Sequence, residues 1–184
     1  MLLALVAAIV LWAVPSLVAM RRGAQLRAAA FDLASQVRRL RHEAAARSRR
    51  QALHFERLQG RWRLRRIVDG NRNGVRSHEI HTGVDPSEGA GVDLMERWGA
   101  AAPGLPPTPI PRLPPVRGVL QPGSDPLQLS GTDRVSCAPD GACTGGTVYL
   151  NAGGAEAAAV VIYGGTGRVR VWRYAPSEVR WIPY

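Results

Sequence analysis

Residues 69–80, Asp-Gly-Asn-Arg-Asn-Gly-Val-Arg-Ser-His-Glu-Ile, set oxygen-bearing groups at alternate positions of a short loop. Asp69, Asn71 and Asn73 occupy positions one, three and five of an EF-hand-like pattern, the backbone carbonyl of Val75 position seven, and Gly74 the turning position six. Such a loop could cradle Ca²⁺. It departs from the pattern at position twelve, where Ile80 replaces a bidentate glutamate and Glu79 comes one residue early. Asn and Gly also serve a tight turn for its own backbone reasons, so a structural loop is the competing reading. His78 and His81 lack a third ligand nearby and read as solvated. Cys137 and Cys143 bracket Ala-Pro-Asp-Gly-Ala. Their spacing is not C-x-x-C and no second pair exists, which argues against zinc; so short a loop can close as a disulfide suited to an oxidising compartment, the alternative being two free thiols. In Gly-Arg-Val-Arg-Val-Trp-Arg-Tyr, residues 167–174, strand alternation sets Val169 and Val171 on one face and Arg168, Arg170, Trp172 and Tyr174 on the other, with Arg180, Trp181 and Tyr184 following. Arginine interleaved with aromatics on an exposed strand can grip single-stranded DNA by phosphate contact and base stacking, and Arg168, Arg170, Trp172 and Arg173 are the candidate residues. The plainer reading is a solvated arginine face with Trp172 covering the sheet or a neighbouring subunit. G-x-S-x-G and P-loop motifs are absent, and neither cysteine has a histidine close in sequence, so the chain reads as a non-enzyme.

The elements that would position these groups follow from hydropathy. Residues 1–20 carry no charge, and at ~1.5 Å per residue they suffice to cross a bilayer core of about 30 Å. They predict the transmembrane half of a stem helix over 1–22, with Leu5 and Val10 in lipid and a kink at Pro15. A cleaved signal peptide is the alternative, disfavoured because no basic residue precedes the apolar run. From residue 23 to 50 the pattern stays helical. Leu26, Ala30, Leu33, Val37, Leu40 and Ala44 fall on one stripe, and no Gly or Pro intrudes after Gly23. This predicts an amphipathic half over 23–50, with Leu26, Leu33, Val37 and Leu40 packing against a head formed by 51–184. Period-two patterns at 51–58 and 61–68, and again at 147–150, 157–163 and 167–174, predict antiparallel strands separated by glycine-rich turns. Between these groups, residues 103–115 hold seven of the fourteen prolines and read as an extended surface loop. The fold class is α+β, a long N-terminal helix packed on a small antiparallel sheet. The net charge of +10 comes entirely from arginine, with no lysine in the chain. Together with abundant Ala, Gly and Pro this fits a GC-rich coding bias, although it leaves an acidic partner open.

A kinked apolar helix continuing into an amphipathic half and then a small sheet resembles the layout of type IV pilin-like proteins. Four stretches narrow the resemblance to the GspH/FimT family of minor pseudopilins and minor pilins: AVPSL around Pro15, LASQVRRLRHEAAARSRR at 33–50, VDGNRNGVRSHEI at 68–80 and VVIYGGTGRVRVWRY at 160–174. The family's basic leader, and the glutamate near its mature N-terminus, have no counterpart here, so no residue is assigned the glutamate's role. The resemblance implies a single-pass protein of the bacterial inner membrane with its head in the periplasm, even though Arg21 and Arg22 alone would favour a cytoplasmic head. It implies assembly with other pilins or pseudopilins through the helix, in a type II secretion or type IV pilus system, with no catalysis; calcium at the Asp69 loop is the one cofactor that the residues themselves suggest. Some members bind incoming DNA through a Gly-Arg-x-Arg element, which Gly167, Arg168, Val169 and Arg170 match. A membrane-anchored periplasmic domain unrelated to filaments is the further alternative.

Overall fold

The computed structural model describes the backbone of residues 2–184 and the side chains of residues 17–184. Leu5, Val10 and Pro15, the expected lipid-embedded stem positions, fall outside the described side chains. Among the described residues, no helix is long and apolar enough to cross a membrane.

Helix α1 runs over Leu2–Ala46. Its second half is rich in Ala, Arg and Leu, strong helix formers without side-chain branching at Cβ. It stops four residues before the sequence pattern suggests. Ser48 turns left-handed at φ 47°, Ser48 N–H donates to Ala45 O and Arg49 N–H to Ala44 O, closing the helix in a Schellman-type arrangement. One stripe of α1 is buried from end to end of this half: Leu26, Ala29, Ala30, Leu33, Ala34, Val37, Leu40 and Ala44. The alanines in that stripe keep the helix backbone close to the strands beneath, while the leucines and Val37 fill the space between them.

Beneath α1 lie two antiparallel sheets. In the first, β1 (Gln51–Leu58) pairs with β2 (Arg61–Val68) in a register that opposes Leu58 to Arg61, leaving a two-residue turn of Gln59 and Gly60. Both turn residues have positive φ, 50° and 79°, the requirement of the type I′ turn that suits the right-handed twist of a hairpin. This sheet is completed by β3 (Val92–Asp93) beside β2 and by β8 (Arg134–Cys137) beside β1. The second sheet has the order β12 (Arg180–Pro183), β11 (Arg168–Ala175), β10 (Ala157–Tyr163), β9 (Gly146–Asn151), β4 (Ala102–Pro103), with β7 (Leu127–Gln128) also on β9. The inward residues of both sheets, among them Phe55, Leu64, Val135, Val148, Val160 and Val171, form one core with the α1 stripe. The α+β class and the packing of the helix on antiparallel sheets therefore stand.

The proline-rich segment corrects the surface-loop expectation. Its prolines do keep it out of the main sheets, but it folds back as β5 (Ile110–Pro111) against β6 (Val119–Leu120) and buries Ile110, Leu113 and Leu120 on the second face of the larger sheet. There they meet Tyr149, Val161, Tyr174 and Trp181, and Trp181 Nε1 donates to Pro111 O at 2.8 Å. The larger sheet is thus covered on both faces. Two short helices complete the chain: α2 (Ser77–Thr82) and α3 (Leu94–Trp98).

Candidate functional site

The most elaborate polar site is the clamp that locks α1 to the head. Asp32 projects from α1 between the buried positions and accepts four hydrogen bonds: from Arg97 Nε at 2.6 Å and Nη2 at 2.8 Å, from Trp98 Nε1 at 2.7 Å and from Gln36 Nε2 at 2.8 Å. The donors on the head are held by α3, whose local logic is simple. Asp93 caps the helix by accepting from Met95 N–H and Glu96 N–H, Leu94 and Trp98 bury one face, and Gly99 ends it at φ 66°. Its left-handed φ favours glycine there, and a Cβ on Gly99 would also displace the end of the Gln25 side chain of α1. The Arg97 fork holds the Asp32 carboxyl below the usual carboxylate range; burial works against this, and the Trp98 bond assists it. Asp32 in turn raises the affinity of Arg97 for its proton. Further along the seam Arg66 bonds Glu43, Arg47 meets Glu88 at 2.5 Å and Arg38 donates to Val169 O. The expected packing residues Leu26, Leu33, Val37 and Leu40 lie along this seam, each buried.

Ahead of the buried stripe, α1 exposes apolar Leu17, Val18 and Met20 together with Arg21 and Arg22. Leu17 and Met20 are 63% and 71% exposed, and Phe31 is exposed beside Tyr184, ring centroids 5.3 Å apart, with the Arg27 guanidinium 5.4 Å from the tyrosine ring. Burial pushes the Tyr184 phenol above its ordinary pKa, against the opposing effect of Arg27.

The Asp69–Ile80 loop does not present its oxygens to a cation. Both Asp69 oxygens accept from the loop's own backbone, Arg72 N–H at 2.7 Å and Gly74 N–H at 2.8 Å; Asn71 Oδ1 accepts from Asn73 N–H; and the Val75 carbonyl accepts from Arg134 Nε. The chain after Arg76 is already α2, and Glu79 is turned toward Asn71 and Asn73, whose amides donate to it; the Asn73 bond is the chief cause of its lowered pKa. The second buried aspartate, Asp85, takes Gly70 N–H and Arg76 N–H. The calcium reading of Asp69, Asn71, Asn73 and Val75 gives way to a loop closed on itself by two buried carboxylates. Among the described residues no set of three or more His, Cys, Asp or Glu side chains is placed to hold a metal ion.

Cys137 and Cys143 are joined in a disulfide, and neither is free. On the C-terminal strand the aromatic half of the DNA-gripping pattern is unavailable: Tyr174 and Trp181 are buried under Ile110 and Leu113, and Trp172 is half-buried against them with its Nε1 enclosed and unbonded. Arg168 and Arg170 are exposed, but Arg173 belongs to the opposite side of the strand, near Tyr184. These four residues do not form one surface.

A concave site that the sequence reading missed lies at the other end of α1. A cleft of about 570 Å³ opens between the helix end, the Asp69 loop and β8, lined by Arg49, Arg50, Arg72, Arg76 and Arg134. Its wall includes Ser136, 8% exposed, whose hydroxyl has no hydrogen-bond partner. The five arginines come from three separate stretches, so only the folded chain brings them together. The Asp32 clamp was likewise hidden by 65 residues of separation from Arg97, although the local sign of α3 was readable: Asp93 before an apolar pair at i and i+4, Leu94 and Trp98, with Glu96 three after the cap. No family model matches the chain, and neither a curated protein nor a solved structure matches it.

Proposed function

We propose that the protein is a structural assembly subunit of the type IV pilin-like class, a minor pseudopilin or minor pilin whose stem helix anchors it in the bacterial inner membrane and whose head lies in the periplasm. The observation that carries this reading is the division of α1. Over residues 26–44 one stripe of the helix is built into the head's core, whereas ahead of that stripe Leu17, Val18 and Met20 are exposed and Arg22 reaches back to Gly153 O. A helix that served only the head would end where its buried stripe ends. One that continues as exposed apolar surface has a further partner, and the uncharged run of residues 1–20, to which Leu17, Val18 and Met20 belong, has the length of a bilayer crossing. The disulfide is consistent with an oxidising compartment on the head's side. The function is assembly, not turnover: the Asp32 clamp makes helix and head one rigid piece, so that lateral packing of stems orients the heads.

A photo-crosslinking amino acid at Met20 in cells of the native host tests the proposal. Assembly yields discrete covalent adducts between this chain and other stem-bearing subunits, and these disappear when a charge is placed at Leu17. A chain that crosslinks only to lipid, with no protein adducts, is an ordinary anchored domain and overturns the reading.

A further inference from the structure

We propose that the arginine cleft between the end of α1, the Asp69 loop and β8 is a binding site for phosphate groups. Arg49 and Arg50 follow the helix terminus, Arg72 and Arg76 flank the loop, and Arg134 forms the floor on β8. Arg134 is committed: it donates to Val75 O, to Ser77 Oγ at 2.7 Å and to Asp133. The other four guanidiniums form no ion pair among the described residues, although Arg47, Arg61, Arg65, Arg66, Arg97 and Arg180 each have a carboxylate. Coding bias accounts for arginine in place of lysine. It does not account for four unpaired arginines converging on one concavity. The single carboxylate in the lining, Asp69, spends both oxygens on backbone N–H groups, and Glu79, the acidic neighbour of Arg76, is held by Asn71 and Asn73. The lining thus sets five guanidiniums against one carboxylate and keeps a net positive charge.

The second observation is Ser136. Its hydroxyl is buried in the cleft wall and unpartnered, a cost in the free protein that a bound oxyanion would relieve. Guanidinium forks and a hydroxyl donor suit the tetrahedral oxygens of phosphate. The cleft contains no aromatic side chain on which a base could stack, so it reads phosphate and not nucleobase. A phosphate chemistry of this kind can be supplied by a small free ligand or by the backbone of a nucleic acid.

The experiment is calorimetric titration of the full chain, in a non-ionic detergent, with inorganic pyrophosphate and separately with an oligothymidylate. The site does not depend on filament assembly, so its failure and that of the assembly reading are separable. The double variant Arg72→Gln/Arg76→Gln changes only exposed side chains without hydrogen bonds and is expected to weaken binding by about tenfold or more. Ser136→Ala weakens it as well while leaving the free protein's Tm unlowered, because the lost hydroxyl had no partner. Tight pyrophosphate binding identifies a small phosphate ligand. Tighter oligothymidylate binding, abolished by the same variants, identifies a phosphodiester one. The proposal is overturned by absence of binding to either probe, by equal binding of polyglutamate, by wild-type affinity in the double variant, or by loss of binding on Arg168→Gln/Arg170→Gln instead.

Discussion

Replacing Asp32 separates the two roles of the clamp, and the structure allows the cost to be worked out. In Asp32→Ala, Trp98 Nε1 loses its acceptor while Trp98 remains 5% exposed, and leaving a buried donor unsatisfied costs about 1–3 kcal/mol. The Arg97 fork is lost at the same time. Its side chain is 38% exposed and that of Asp32 26%, so solvent screening limits that contribution to about 0.5–1 kcal/mol. The sum, about 1.5–4 kcal/mol, corresponds to a fall in Tm of roughly 3–16 °C for a chain of this size. Asp32→Asn keeps one carbonyl oxygen for Trp98 and forfeits the charge and one arm of the Arg97 fork, so it should cost about 1 kcal/mol. A pH dependence distinguishes the two further. The carboxyl is held below its unfolded pKa of about 3.9, so its stabilisation is fully present above that pH and is lost as pH falls through the depressed folded value. Asp32→Asn should therefore lose less stability between pH 5 and 3 than the wild type does. Urea denaturation of the full chain in detergent, followed by near-ultraviolet circular dichroism at several pH values, measures all three quantities. Equal losses for Ala and Asn would refute the assignment of the Trp98 bond as the larger part, and an acid limb unchanged in Asn would refute the stabilising role of the ionised carboxyl.

Three further outcomes follow from the packing. Leu33 is fully buried against both sheets, so Leu33→Ala should destabilise by about 2–5 kcal/mol in the same denaturation assay, whereas Leu17→Ala, on the exposed stem, should leave the stability of the head unchanged. Reducing the Cys137–Cys143 bond frees a closed loop of six residues' separation, and on the chain-entropy account this lowers stability by about 2 kcal/mol; a Cys137→Ser/Cys143→Ser variant that matches the oxidised protein would show that the turn is held by its hydrogen bonds alone. Asp69→Asn should destabilise the loop, seen as faster amide exchange at Arg72 and Gly74, and added Ca²⁺ should leave the Tm of the wild type unchanged; a calcium-dependent rise would restore the cation reading.

What the sequence made readable was local or periodic. The α1 stripe could be read because burial against a continuous core imposes a 3.6-residue period that nothing else in residues 23–50 contradicts. Gln59 and Gly60 lie between two alternating runs, and the turn chemistry sets the register. Alternation in β11 also placed Val169 and Val171 correctly on one side and Tyr174 on the other. What it could not supply was the environment of that second side. Tyr174 and Trp181 look like a stacking platform until Ile110 and Leu113, some seventy residues earlier in the chain, are laid over them. The proline content of that segment masked its apolar residues, since proline forbids a ladder position without forbidding burial.

The Asp69 loop shows why ligand-like spacing is weak evidence on its own. Alternating Asp and Asn suits a cation because each carries an oxygen on a short side chain, and it suits a tight loop for the same reason, since that oxygen reaches the backbone N–H groups two to five residues on. What decides between the two is whether those oxygens are turned onto donors of the protein itself. Arg72 and Gly74 claim Asp69, Asn73 claims Asn71, and Arg134 claims the carbonyl of Val75. Closing the loop in this way turns its oxygens onto the protein's own donors and leaves Arg72 and Arg76 exposed. The stretch that resembled a cation cradle thereby becomes one wall of a cleft whose charge is suited to an anion.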